Sequence, residues 1–466
     1  MSTAPARVPD VLGAGLERRL GPFDAATIVV SNVIGGGIFF VPMIVAQLIP
    51  SGAAILIVWA VGGALAFAGA MAYAELAALR PRAGGEYVYL REAYGPLAAF
   101  LSGWTSFVAG FSGAIAASAV ALAEYIGHFL PFAKDPTPFF TVAIPGAPLV
   151  FSPRTLVALL AIASLTIAHV RGLGPGRLVQ NLLAGLKVSA LLVFLVLGFS
   201  LGHATVRAAV SDAPGSVTIA GMLMALVPVM FTYSGWNAAA YVAEEVRSPG
   251  RNVPLALGLG TLAVVILYLG LNALYLYALP ARELAHVNGT LIDTVAARLF
   301  GFAAADLIAA FTIVSIAASV SAMVIAGPRV YFAMARDGLF AAPAGQVHPR
   351  YRAPTRAIAV QGIWSGILVL SGTLQALVSY TGFAIVVFSG VAVTAVFVLR
   401  RRHPDINRPF RAWGYPWAPG SFVLASSVII ANEIWRNPGP TAAGIAVIAA
   451  GLPVYWVLNK RDGHAR

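Results

Sequence analysis

The chain contains no cysteine, few charges of either sign and only 18 acidic residues in 466. Without cysteine there is no disulfide framework, no iron–sulfur cluster and no thiolate metal site. Charged residues make up 10% of the sequence, against about 25% in an ordinary soluble domain. The seven histidines offer no ligand-like pairing, and His286, His348, His403 and His464 fall in polar connections; no metal or cofactor is expected. A GxxxxGK[ST] phosphate loop is missing, which argues against direct drive by ATP. The one nucleophile-elbow pattern, Gly198-Phe199-Ser200-Leu201-Gly202, ends an apolar run with no strand before it, so it is discounted as a catalytic motif. No convergent nucleophile and base appear elsewhere, and an enzyme is not expected.

What the chain has in excess is apolar surface. Hydrophobic residues form 59% of it, and the mean hydropathy is +0.83. A soluble core stops growing near ~250–300 residues, so lipid must be the solvent for much of the chain. Apolar stretches near the ~20 residues needed to cross a bilayer lie at about 24–47, 53–78, 97–129, 155–170, 178–201, 217–243, 252–279, 302–334, 355–375, 379–399, 418–435 and 441–458. They predict an all-α membrane protein of twelve transmembrane helices. Strand periodicity is lacking, and no large soluble domain fits between the spans.

Twelve spans put both termini on one side. Of the 30 Lys and Arg residues, 23 then fall on that side, six on the other (Lys134, Arg154, Arg207, Arg282, Arg298 and Arg436), and Lys187 within a span. The positive-inside rule makes the richer side cytoplasmic. It also accounts for the net charge of +12 without a nucleic-acid partner. Residues 1–22 lack the ordered parts of a cleavable leader and read as a cytoplasmic tail, as do residues 459–466. The expected location is the inner membrane of a cell, with lipid as the surrounding partner.

Two spans carry internal breaks. SNVIGGGIFFVP sets Gly35, Gly36 and Gly37 together in the first, with Pro42 after them; VPVMFTYSGWN sets Pro228 and Ser234-Gly235 in the sixth. Each glycine costs roughly 1 kcal/mol relative to alanine inside a helix. Interruptions at corresponding places in two halves point to an inverted-repeat transporter with its site at the breaks. The expected layout is 5+5: repeat one over about 23–201, repeat two over about 217–402, and two further helices over about 418–458. Unwound backbone at membrane depth must face protein, water or ligand. Amide groups opening the half-helix after Gly37 suit a carboxylate, and carbonyls ending the first half-helices suit an ammonium group. A close helix-packing face is the other use of such small residues.

These motifs resemble the amino acid–polyamine–organocation superfamily, and within it the L-type amino acid transporter branch. SNVIGGGIF is similar to the first-span Gly-x-Gly-Ile-Phe signature, with glycine where serine is common. YAELAALRPRAGGEYVYLREAYG, FTYSGWNAAAYVAEEVRSPGRNVP, AMARDGLF, HPRYRAPTRA and RRHPDINRPFRAWGYPWAP resemble later family segments, so the likeness runs from residue 24 to about 420. It implies the inverted-repeat fold first seen in bacterial leucine transporters. It also implies a sodium-independent secondary carrier for neutral L-amino acids, working by exchange or proton-linked uptake. The expected substrate contacts are Asn32, Ile34, Gly35, Gly36, Gly37, Phe231, Thr232, Tyr233, Ser234 and Gly235. By the resemblance, Phe231 is a gating aromatic.

Lys187, near the start of the fifth span, costs ~2.5–3.5 kcal/mol on insertion scales, which makes an intramembrane lysine a functional residue by default; snorkelling from a helix end is the alternative. The pattern around Gln180 and Lys187 resembles L-type carriers, and that resemblance implies an ammonium in the place of a coupling sodium ion. Ser315 and Ser319 share a helix face at i, i+4, expected opposite Lys187. Glu244 and Glu245, beside Arg247 and Arg251, read as an ion-pair cluster at the inner gate, with Glu75 and Arg80 similar. A carrier of cationic amino acids or polyamines would need an acidic residue in the pocket, and Asp24 and Asp306 lie too near span ends. A non-transporting sensor would usually add a soluble domain. L-type carriers of eukaryotes are linked to a heavy chain through a cysteine between spans 3 and 4; residues 131–154 have none, so a disulfide-linked partner is excluded and a lone bacterial subunit is the simpler inference. The oligomeric state stays open.

Overall fold

A computed structural model describes residues 15–144, 148–201, 217–287, 290–301, 305–371 and 374–463. The outer parts of both expected tails, with Arg7, His464 and Arg466, lie outside these residues, as do Arg207 and Gly202. The described chain is almost entirely helical. Among the described residues nine helices are long and apolar enough to cross a membrane: Gly52–Leu79, Pro96–Ile126, Pro153–Val170, Leu173–Leu201, Pro249–Ala278, Asp306–Arg336, Gly382–Arg402, Trp417–Arg436 and Pro438–Leu458. Two shorter apolar helices, Ile219–Thr232 and Thr355–Leu370, accompany them. The first apolar stretch is divided into Pro22–Val33, a single 3-10 turn at Gly36–Phe39, and Val41–Leu48.

Helix suits these segments because lipid leaves every backbone N–H and C=O to be satisfied within the chain. The Leu173–Leu201 helix shows how the apolar residues divide. Its window has a mean hydropathy of 2.4, yet only 28% of it is buried. Gln180, Ala184, Lys187, Leu191, Phe194 and Gly198 form a buried stripe at spacings of three and four, while Leu178, Leu182, Leu186, Val193 and Leu197 are exposed. The exposed stripe is the face a membrane covers.

The helices gather into two groups. Gly52–Leu79 packs on Pro249–Ala278 and Ile219–Thr232, and Pro22–Val33 packs on Pro249–Ala278. In the other group Phe111–Ile126 packs on Ala305–Arg336, Pro153–Val170 and Thr355–Leu370. His128, just past the end of one central helix, bonds Asp306 at the start of another at 2.8 Å, so Pro96–Ile126 and Ala305–Arg336 run antiparallel. Pro22–Val33 and Leu173–Leu201 both touch Ala305–Arg336 and join the two groups.

The connections hold more structure than hydropathy suggested. Glu86–Tyr94, between the expected spans at 53–78 and 97–129, is a helix, and Ala281–Leu284 and Leu291–Phe300 are two more. Residues 131–154 contain an antiparallel hairpin pairing Phe140 with Phe151 and Val142 with Leu149. Three-residue strands are too short to show a period.

Candidate functional site

The first break begins at Ile34 (ψ 87°), passes through an extended Gly35 and re-forms helix at Val41, with Pro42 in the first turn, where a missing N–H costs nothing. The second lies between Thr232 and Ala238. Pro228 lacks the N–H that would bond one turn back, and the Thr232 hydroxyl donates to the Pro228 carbonyl at 2.9 Å. Gly235 then takes φ +99°, a conformation that side chains rarely adopt.

The two breaks touch. Asn32 Nδ2 donates to the Gly235 carbonyl at 3.3 Å. A methyl carbon at Gly235 would meet that nitrogen at 2.7 Å, and one at Gly37 would meet the Thr232 side chain at 3.0 Å. Tyr268 closes the ends of both first half-helices: its hydroxyl donates to the Val33 carbonyl at 2.9 Å, with the Thr232 carbonyl 3.5 Å away.

Behind the first break sits Lys187, fully buried and mid-helix. Its position, 15th of 29 residues, places it too deep for snorkelling from a helix end. The ammonium donates to the Ser31 carbonyl at 3.2 Å, to the Ile34 carbonyl, and to Ser319 Oγ at 2.9 Å. Three donors thus meet three acceptors. The Ser319 hydroxyl directs its own hydrogen to the Ile34 carbonyl (2.9 Å) or the Ser315 carbonyl (3.2 Å). Ser315 Oγ is buried with no partner among the described residues.

Between the helix groups lies a cavity of about 700 Å³. Asn32, Gly35, Gly36, Gly37, Phe231, Thr232, Ser234, Gly235 and Ser319 line it. Ile34, Tyr233, Lys187 and Ser315 are not in its wall. Ile34 contributes its carbonyl to Lys187 instead. Tyr233 packs with ring centroids 5.7 Å from Trp59 and 5.1 Å from Tyr268, and its hydroxyl donates to the Trp59 carbonyl at 3.2 Å. Tyr233 thus turns into the packing while Phe231, Thr232, Ser234 and Gly235 line the cavity. Phe231 is 42% exposed, and its ring edge would stand 3.1 Å from a methyl carbon at Gly382.

The lining runs from Glu124, whose side chain is 44% exposed, Tyr125 and Thr290 to Glu86, Ser102 and Tyr241. Beyond that floor the two helix groups are tied by ion pairs. Arg329 bonds Glu245 at 2.9 Å with both side chains buried, and Arg336 bonds Glu244 at 3.0 Å. Arg329 lies ten residues past Ser319, roughly 15 Å along the helix at 1.5 Å per residue. The partners of Glu244 and Glu245 are therefore these arginines of a distant helix; Arg247 and Arg251, expected beside them, are exposed. Glu75 likewise pairs with Arg400 at 2.6 Å and Arg408 at 3.2 Å, while Arg80 pairs with Glu92 at 2.6 Å. Long-range pairs of this kind carry no local spacing. Asp24 and Asp306 stay at helix ends, bonded to Asn181 at 2.6 Å and His128 at 2.8 Å.

Three groups at the site carry no signal in hydropathy. Tyr268 sits in an unbroken apolar helix. Glu86 falls between two expected spans. Ser106–Gly110 forms a π-helical turn inside Pro96–Ile126, with Ser106 and Gly110 lining the cavity; such turns often mark functional positions.

Apolar helices with two broken segments that meet at a central cavity define a membrane transport protein. The chain belongs to the amino acid permease family, whose model matches residues 20–458, and it is a transporter rather than an enzyme. It is 28% identical over 449 residues to the serine/threonine exchanger SteT of Bacillus subtilis, covering 96% of this chain and 98% of that protein. It is also 28% identical to the cystine/glutamate transporter of Homo sapiens, covering 97% and 87%. With the large neutral amino acids transporter small subunit 2 of Homo sapiens it shares 27% over 96% and 81% of the two chains.

Proposed function

We propose that this protein is a secondary carrier that exchanges neutral L-amino acids by alternating access, without sodium. The observation that carries the reading is the meeting of the two breaks at the cavity, braced by the Asn32–Gly235 hydrogen bond. Gly36 is exposed into the cavity at the start of the Gly36–Phe39 turn. The first amides of a helical turn have no partner within it, and with the partial positive charge of that end they would hold the substrate carboxylate. Asn32 and the backbone around Ser234 would face the amine. Phe231, Thr232 and Ser234 would shape the side-chain space, with Phe231 as the plug that shuts it.

Lys187 would stand in for a coupling sodium ion. Its ammonium occupies carbonyls of the first break, where a cation would otherwise be needed. The nine long helices, the two shorter ones and the divided first stretch together make twelve spans. The packing supports a 5+5 inverted repeat: the first two spans of each half form one helix group, and the next two form the other. With both termini inside, the mouth at Glu124 faces outward and the ion pairs of Arg329 and Arg336 close the inner side. Unlinking those pairs while the outer helices close over Phe231 would expose the substrate to the cytoplasm. Serine or threonine, named for one relative, and larger neutral amino acids, named for another, both fit a cavity of this size.

Purified protein in proteoliposomes, loaded with unlabelled amino acids and offered labelled ones, tests the proposal. Exchange of neutral amino acids that is indifferent to sodium is the expected result. Failure to move any labelled amino acid in either direction would overturn it.

A further inference from the structure

Glu86 is a carboxyl group at the inner end of the cavity that belongs to none of the ion pairs. It opens the Glu86–Tyr94 helix, between two spanning helices, with part of its surface open to the cavity. Tyr73 Oη donates to one oxygen at 2.8 Å and Ser102 Oγ stands 3.5 Å from the other. Tyr241 adds a third hydroxyl, itself held by Asn237 Nδ2 at 3.1 Å. Among the described residues no lysine, arginine or histidine pairs with it. The charges on the same helix pair elsewhere, Arg91 with Asp337 at 2.8 Å and Glu92 with Arg80. Its titratable neighbours are tyrosines on three elements: Tyr73 on Gly52–Leu79, Tyr89 on its own helix and Tyr241 after the second break.

A buried carboxylate without a cation is costly, so the group must acquire a positive partner or a proton. The surrounding donors discriminate between these outcomes. A backbone N–H or a guanidinium can only donate, and would hold the group ionised. A hydroxyl donates to a carboxylate and accepts from a carboxylic acid by rotating its hydrogen. All three polar groups touching Glu86 are hydroxyls, so the cage accommodates both protonation states without moving a heavy atom. Burial pushes this carboxyl above its ordinary range, with the three hydroxyl bonds opposing.

We propose that Glu86 is the proton-binding site of this carrier, taking a proton from water in the open cavity and returning it to water once the cavity opens to the other side. The step forms and breaks one O–H bond and involves no redox partner. It rests on the carrier reading above. It makes exchange pH-dependent: uptake of labelled serine rises as the pH falls, because the protonated fraction falls tenfold per unit above the pKa.

The test compares wild type, Glu86→Gln and Glu86→Asp in proteoliposomes between about pH 5.5 and about pH 8. Serine uptake by wild type should fall severalfold over that range; Glu86→Gln, a permanent mimic of the protonated form, should hold one rate throughout, and Glu86→Asp should restore a pH dependence with a shifted midpoint. Thermal unfolding in detergent gives a second readout that needs no transport. A carboxyl whose pKa is raised on folding contributes stability that is present at low pH and is lost as the pH rises through the folded value. The midpoint of wild type should therefore drop toward pH 8 relative to that of Glu86→Gln. Uptake with the same pH profile in wild type and Glu86→Gln overturns the proton site while leaving the carrier intact. So does loss of lysine uptake alone in Glu86→Gln, which would make Glu86 a subsite for cationic side chains. Absence of uptake by wild type for every amino acid instead overturns the carrier reading.

Discussion

Lys187 Nζ donates to Ser319 Oγ across 2.9 Å, and both groups also bond the Ile34 carbonyl. Residues 132 positions apart thereby converge on one backbone oxygen of the first break. The lysine, the serine and the unwound segment form a single unit, so a change in any one is felt at Gly36, which lines the cavity.

Lys187→Ala removes the cation while leaving three acceptors buried. Hydrogen bonds to charged groups contribute about 1.5–3 kcal/mol, so exchange should fall at least about tenfold, the equivalent of ~1.4 kcal/mol. Membrane insertion, measured by yield and monodispersity in detergent, should persist. Near-normal exchange would remove Lys187 from the mechanism.

Gly36 and Gly235 should separate binding from folding. A methyl carbon at Gly36 has only the Phe40 ring at 4.0 Å, whereas one at Gly235 meets Asn32 at 2.7 Å in a left-handed backbone. Gly235→Ala should lower the thermal midpoint, since strained φ values alone cost about 1–3 kcal/mol. Gly36→Ala should keep the midpoint and raise the half-saturating substrate concentration, and Gly36→Val should abolish binding. Unchanged binding by Gly36→Val would show that the carboxylate is held elsewhere.

Phe231→Ala should leave stability nearly unaltered, because the ring is 42% exposed, and yet speed substrate release from the cavity. Dissociation of a labelled amino acid from detergent-purified protein measures this. A rate equal to that of wild type would deny the ring its role as a plug.

The buried pair Arg329–Glu245 should respond unequally to single and double changes. Arg329→Met strands a buried carboxylate, at about 3–5 kcal/mol, and should lower the thermal midpoint sharply. The double variant Arg329→Met with Glu245→Gln should recover much of that loss, since no uncompensated charge remains. Equal midpoints for the single and double variants would show that the pair does not tie the inner side shut.

The apolar helices, the two breaks and the lysine within an apolar helix were legible in the sequence because each is a local property. Twenty apolar residues, three adjacent glycines or one charge in an apolar run can be recognised without knowing what lies opposite. Glu86 and Tyr268 were not legible in this way. A glutamate in a short polar-looking helix and a tyrosine in an unbroken span become site residues only when helices distant in sequence are laid against them.

The sequence by itself determined that the chain lives in lipid, where its helices are interrupted, and that one lysine lies inside an apolar run, since hydropathy and backbone preference act along the chain; the fold set that lysine against the carbonyls of the first break. Tertiary structure alone decided that Tyr233 turns into the packing while Phe231 and Ser234 turn into the cavity. It also decided that Glu244 and Glu245 choose Arg336 and Arg329 over their neighbours, and that Glu86 has hydroxyls and, among the described residues, no cation around it. Those outcomes depend on which faces meet across the two helix groups, and burial then fixes which charges must find partners.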